Sequence, residues 1–160
     1  MSGQLLHIYK AATAGARPES ADEAMLEAGR GLVGDRYHGK VGTFSAQLAG
    51  KPDHEVTLIE AEAIDRFNRE TGLALGYGEL RRNLVTRGIR LNDLVGCEFE
   101  VGDCLLEGLR LCEPCSHLAK TVAKQVLPGL VHQAGLRARI VRGGRIRPGD
   151  SVGGARQPSP

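Results

Sequence analysis

No apolar stretch in this chain runs far before a glycine, a proline or a charge interrupts it, and glycine occurs 22 times in 160 residues. Short apolar segments bounded by turn residues favour many strands over long helices. Leu5-Leu6-His7-Ile8-Tyr9 reads as a first strand, and Gly29 to Ser45 as a glycine-rich irregular segment. Glu55-Val56-Thr57-Leu58-Ile59 reads as a strand running into a helix on which Ile59, Ala63 and Phe67 share a face, stopped at Thr71-Gly72. Phe99 and Val101 alternate with charged neighbours up to a Gly102-Asp103 hairpin turn into Cys104-Leu105-Leu106. Leu136-Ala138-Ile140 alternates with Arg137-Arg139, Gly143-Gly144 offers a turn, and Ile146 through Val152 reads as the returning strand of a hairpin. These segments predict a mainly β fold with a few helices. Closing the strands into a closed or nearly closed β-barrel would leave no bare sheet edge.

At 160 residues the chain reads as one domain over 1–152, with a polar, disordered tail at 153–160. Residues 1–4 read as a short polar start. No apolar run approaches the ~20 residues of a membrane span, and the first residues lack the build of a secretion signal. Four cysteines in a chain of this length suit a cytoplasmic protein with free thiols.

Cys115 is the residue with the clearest chemical promise. It closes Cys112-Glu113-Pro114-Cys115-Ser116-His117, just where apolar alternation gives way to helical spacing at Leu118, Val122 and Val126. Ser116 is a good helix N-cap, which would set the sulfur at the positive end of a helix beside an imidazole. Both influences favour the thiolate, the form that attacks sulfur or binds metals. The plainer role is a buried cysteine in a proline turn. Pro128 is expected to break the helical pattern, allowing one short helix through about Ala134. Cys112 makes a C-x-x-C with Cys115, but no βαβ pattern surrounds it, and packing is its expected role. Cys97 is expected to face the core with Phe99 and Val101. Four-cysteine zinc binding lacks the paired knuckles of a zinc ribbon. His54 and His132 have no partners at recognisable spacing and read as structural.

Net charge is only +2, but arginine is clustered. Arg137, Arg139, Arg142, Arg145 and Arg147 form one run and Arg81, Arg82, Arg87 and Arg90 another. Arginine suits bidentate recognition of phosphate or carboxylate, whereas a solvated strand face is the alternative use. Arg81-Arg82-Asn83 followed by Thr86 offers guanidinium, amide and hydroxyl groups within one segment. Arg36 and His38, between Gly34 and Gly39, can contact phosphate or donate a proton, and Thr43 and Ser45 are candidate pocket hydroxyls. Six aromatic residues, none of them Trp, give little to stack on bases, so nucleic acid ranks last among partners.

Four segments in order resemble the MOSC domain, the C-terminal domain of molybdenum-cofactor sulfurases. They are Gly31-Leu32-Val33-Gly34-Asp35-Arg36-Tyr37-His38-Gly39 with Gly42-Thr43-Phe44-Ser45; Val56-Thr57-Leu58-Ile59-Glu60; Arg81-Arg82-Asn83-Leu84-Val85-Thr86-Arg87-Gly88; and Gly96 through Leu118. The similarity spans roughly residues 5–152 and is greatest to small standalone bacterial members. It implies a β-barrel that binds a pyranopterin molybdenum cofactor or handles sulfur for it, with Cys115 as metal ligand or persulfide carrier. Of the two adjacent arginines the resemblance favours Arg81 as the one facing the pocket. Two functions follow as expectations. One is a two-electron reductase of N-hydroxylated or N-oxide small molecules, with Cys115 on molybdenum, His38 moving protons, and Arg36, Thr43, Ser45, Arg81, Arg82, Asn83 and Thr86 holding cofactor. The other is a sulfur carrier with a persulfide on Cys115. The chain has no flavin or iron–sulfur motif and no PLP-binding half, so a separate electron-donor or sulfur-donor protein is expected.

Overall fold

A computed structural model describes residues 2–40 and 55–158. Among these residues eleven strands run in chain order: β1 Ser2–Lys10, β2 Glu19–Ala21, β3 Ala24–Glu27, β4 Gly31–Leu32, β5 Val56–Glu60, β6 Leu84–Arg87, β7 Glu98–Val101, β8 Cys104–Leu111, β9 Leu136–Arg142, β10 Gly144–Ile146 and β11 Ser151–Arg156. Among the described residues there are three α-helices, α1 Ala61–Thr71, α2 Ser116–Thr121 and α3 Val126–Gly129, and a 3-10 turn at Leu91–Leu94.

Seven strands close a mixed barrel in the order β1, β11, β7, β8, β9, β5, β6 and back to β1. The closing seams pair Ser2 with Gly153 and Gln4 with Arg87, both antiparallel. Only β5 and β6 run parallel, with Ile59 opposite Val85. A parallel pair needs a crossover, and α1 lies within it. Strand β2 extends from β1, and β10, β3 and β4 form a second small sheet.

Strand alternation divides the apolar residues into two clusters. Leu5, Ile8, Leu58, Leu84, Phe99, Val101, Leu106, Leu136, Ile140 and Val152 belong to the larger cluster, enclosed by the barrel strands. Ile59 and Val85, one residue along from Leu58 and Leu84, point the other way and pack with Ile64 and Phe67 of α1, Leu118 of α2 and Val126 of α3. Ile59 therefore lies in β5 rather than on the helix, and shares its cluster with Phe67 as the spacing predicts. Gly72 stops α1 in the left-handed conformation (φ 76°), its N–H donating to Asn68 O at 2.9 Å.

Several expected boundaries move. Strand β1 begins at Ser2, inside the expected polar start. Strand β11 runs through Arg156, beyond the expected end at 152. The 136–152 hairpin does not form. A Cβ on Gly143 would lie 2.3 Å from Leu26 O, so the chain there is pressed against β3, and β10 pairs with β3 (Gly144 opposite Leu26) instead of β9. Helix α2 ends at Thr121, before Val122 and Val126 can extend it. Pro128 lies inside the single turn of α3, where its missing N–H has no helical partner to lose. Cys97 precedes β7 and is only half-buried, its sulfur 3.9 Å from Asp93 O.

Candidate functional site

Where β8 ends, the chain enters the Cys112–Cys115 turn. Cys112 is buried, 1% exposed, in line with a packing role. Its N–H donates to Gly135 O at 2.8 Å, and its carbonyl accepts from Arg82 Nη2 at 3.2 Å. Gly135 must be glycine here: φ is 116°, and a Cβ would fall 2.1 Å from Leu58 O. Glu113 reaches across to His132, accepting from its N–H at 2.7 Å and lying 2.6 Å from its Nδ1.

Cys115, rather than Ser116, takes the capping position of α2. Its backbone is extended (φ −133°, ψ 169°), its carbonyl accepts from Ala119 N–H, and no side chain caps the helix. The side chains of Ser116 and His117 lie outside the described residues. Cys115 itself is half-buried at the margin of the outer apolar cluster, which also takes in Leu80, Val85, Leu118, Tyr9 and Tyr77.

The segment before β6 is fastened to that turn. Arg82 is 9% exposed and gives its guanidinium to three carbonyls, those of Ala134 (2.8 Å), Cys112 (3.2 Å) and Leu80 (3.3 Å). Asn83 is equally engaged: Oδ1 accepts from Thr57 N–H and Thr57 Oγ1, Nδ2 donates to Tyr9 O, and its own N–H donates to Thr57 Oγ1. Thr86 is wholly buried and its hydroxyl has no hydrogen-bond partner. Three of the expected cofactor contacts thus have side chains committed to, or enclosed by, the protein.

Arg81 behaves differently. It adopts φ 65°, a left-handed conformation uncommon for a non-glycine residue, so its side chain leaves the course of Arg82. Nη1 donates to Ala16 O at 2.6 Å, while Nη2 is enclosed without a partner. Burial, and then the neighbouring Arg36 charge, lower the pKa of Arg81, with Tyr37 and Asp35 opposing. Arg36 is 8% exposed, lies 3.2 Å from Asp35 Oδ1, and sits over the Tyr37 ring at 4.7 Å. Asp35 in turn accepts from Ala11 N–H and Tyr37 N–H. Lys10 lies along the start of the same loop: its Nζ would be 3.4 Å from a Cβ on Gly34. Of these charges, sequence reasoning named Arg36 and Arg81. Asp35, the partner of Arg36, was missed, although it stands inside the glycine-flanked motif.

His38 faces Glu27 instead, with Nε2 3.2 Å from Glu27 Oε2 at an angle that does not make a hydrogen bond. Thr43, Ser45 and His54 lie outside the described residues. The arginine run on β9 and beyond is largely occupied: Arg139 pairs with Glu107, Arg142 donates to Asp103 O, and Arg145 and Arg147 approach Glu23. Among the described residues no three His, Cys, Asp or Glu side chains converge as metal ligands. Cys115 is the half-buried sulfur of the cysteine turn, and Cys112 the buried one.

The fold recurs in solved structures. The YuaD protein from Bacillus subtilis superposes with a TM-score of 0.79 at 16% identity, covering 95% of this chain and 94% of that one. YiiM from Geobacillus stearothermophilus gives 0.72 at 15%, covering 94% and 74%. YiiM from Escherichia coli gives 0.64 at 20%, covering 99% and 71%. A search of curated proteins finds no match. The family model for the MOSC domain matches residues 45–153, a stretch that holds Arg81 through Thr86 and Cys115 but begins after Arg36, His38 and Thr43. The chain therefore belongs to the MOSC domain family.

Proposed function

We propose that this protein binds a pyranopterin molybdenum cofactor and reduces N-hydroxylated or N-oxide small molecules by two electrons, with Cys115 as the thiolate ligand. One observation carries the reading: Arg36 and Arg81 lie close enough to repel while Arg81 Nη2 is enclosed without a partner, on a segment that Arg82 fastens to the cysteine turn. A phosphate there would neutralise the surplus charge and take up the free donor. When bound, the cofactor supplies the metal-centred oxygen-atom chemistry.

The chain's own part is binding and positioning. Arg81 and Arg36 hold the phosphate, and Cys115 offers sulfur from the margin of an apolar cluster that limits water around it. Arg82 and Asn83 hold the main chain in register beneath them rather than touching cofactor. His38, facing Glu27, is the candidate for holding a proton, and Thr43 and Ser45 remain candidate hydroxyl contacts. Electrons would come from a separate protein, in a cytoplasm reducing enough to keep the four cysteines as thiols.

Elemental and intact-mass analysis of freshly isolated protein from a cofactor-competent host tests this. About one molybdenum per chain, lost in Cys115→Ser, is expected because a hydroxyl does not replace a thiolate ligand. The half-exposed sulfur also suits a persulfide carrier. Metal-free protein with a reducible gain of one sulfur on Cys115 would favour that second reading.

A further inference from the structure

We infer that Glu113 and His132 form a clamp that positions Cys115, an inference resting on the reading of Cys115 as the reactive thiol. His132 adopts φ 62°, and with Arg81 and Lys40 it is one of three non-glycine residues at positive φ among the described residues. One of these positions, His132, is fastened directly to the cysteine turn, and another, Arg81, precedes a residue that is. Arg81 is the neighbour of Arg82, whose guanidinium binds Cys112 O, and His132 holds Glu113 through both its N–H and its Nδ1. From the other side, Asn92 Nδ2 donates to His132 O at 2.8 Å, so the loop that carries the clamp is itself held.

Global stability does not account for this arrangement. The His132 and Glu113 side chains are 72% and 42% exposed, and pairs so open to water add little to folding. A left-handed non-glycine residue weakens the fold. An exposed contact on a strained backbone, two residues from the thiol, is instead what a positioning device requires. Main-chain and Arg82 bonds secure the turn at Cys112, and the start of α2 secures it at Cys115. Glu113 is the link between those ends. With the clamp closed, the turn keeps the sulfur half-covered against the outer cluster; with it released, the turn opens more often and the sulfur is exposed.

Iodoacetamide labelling of metal-free protein, resolved by peptide mass spectrometry, tests the clamp without the cofactor. Cys97, the other half-buried cysteine, serves as internal reference. In Glu113→Ala, Cys115 is expected to label about threefold faster or more, with Cys97 and the thermal midpoint unchanged. Glu113→Gln keeps an acceptor for the His132 N–H and should restore part of the protection. His132→Gly relieves the left-handed backbone, so its midpoint should hold or rise while Cys115 still labels faster. A merely structural contact would not separate the two readouts in that way. An unchanged Cys115 rate in either Glu113→Ala or His132→Gly would overturn the clamp, as would Cys97 and Cys115 accelerating together. Molybdenum content is the independent arm: Glu113→Ala should retain less than wild type, whereas a metal-free wild type would defeat the proposed function and leave the labelling result standing.

Discussion

Arg82 donates from Nη2 to the carbonyl of Cys112 across 3.2 Å of protein interior, joining the segment before β6 to the turn that presents Cys115. The same guanidinium also binds Ala134 O and Leu80 O. Lysine is a point charge on a flexible stem and cannot reproduce that planar fork. Arg82→Lys should therefore cost about 2–4 kcal/mol in chemical denaturation, because buried carbonyls lose their partners. Cys115 labelling should rise with it, since the turn loses one of its fastenings.

Arg81 should respond differently, with ligand binding rather than stability affected. Arg81→Gly removes the strain of a non-glycine residue at φ 65° along with the bond to Ala16 O, so stability should stay within about 1 kcal/mol of wild type. Phosphate binding should disappear. Phosphate at about ten times its dissociation constant stabilises a protein by about 1.4 kcal/mol. Thermal melts with phosphate, matched against chloride at equal ionic strength, should show that gain in wild type and none in the variant.

Thr86 presents a hydroxyl with no hydrogen-bond partner inside the barrel wall. Thr86→Val removes the unpaired group at similar volume and should raise stability by about 1 kcal/mol, read from urea unfolding. Molybdenum content should not change, because Thr86 is wholly buried, whereas the Arg81 side chain is only half-buried. A loss of metal in a well-folded Thr86→Val protein would restore Thr86 to the cofactor contacts.

Glu60 gives a pH signature. Burial pushes its carboxyl above the usual carboxylate range, and the hydrogen bond from Leu91 N–H offsets only part of that. A raised carboxyl pKa means the ionised form is less comfortable in the folded chain than in the unfolded one. The penalty is absent below the unfolded value, grows as pH rises through the folded value, and is complete above it. Glu60→Gln keeps the acceptor for Leu91 and should therefore be more stable than wild type at neutral pH, with the advantage vanishing in acid. Denaturation series at several pH values check this. Asp65 slopes the other way: hydrogen bonds from Tyr77 and then Arg87 lower its pKa, so its contribution is lost as pH falls through the folded value.

What could be read in the chain beforehand followed the range of the interactions involved. The Gly102-Asp103 hairpin between β7 and β8 and the Gly72 stop of α1 depend on neighbours in sequence, and both are legible. The 136–152 hairpin carries equally good local signals, yet the partner of β10 is β3, far away in sequence, and Gly143 fits only against Leu26. Alternation cannot reveal a partner that distant. The cysteine turn stood out because proline, cysteine and a helix start coincide. Arg81 and Arg82 are the same residue type side by side, and what separates their roles is a positive φ at the first and three waiting carbonyls around the second. Asp35 is held in place by the Ala11 N–H just past β1, a contact between distant segments that no short motif records.

The seam between β1 and β11 sets the order in which this molecule can be made. Ser2, Gly3 and Gln4 find their partners on one side only in Gly153, Val152 and Ser151. A chain emerging from the ribosome makes β1 well before β11, and that side of β1 stays unzipped until residues 151–153 have cleared the exit. Ring closure therefore waits for β11, and any cofactor that needs the finished ring is loaded only after that strand has been made.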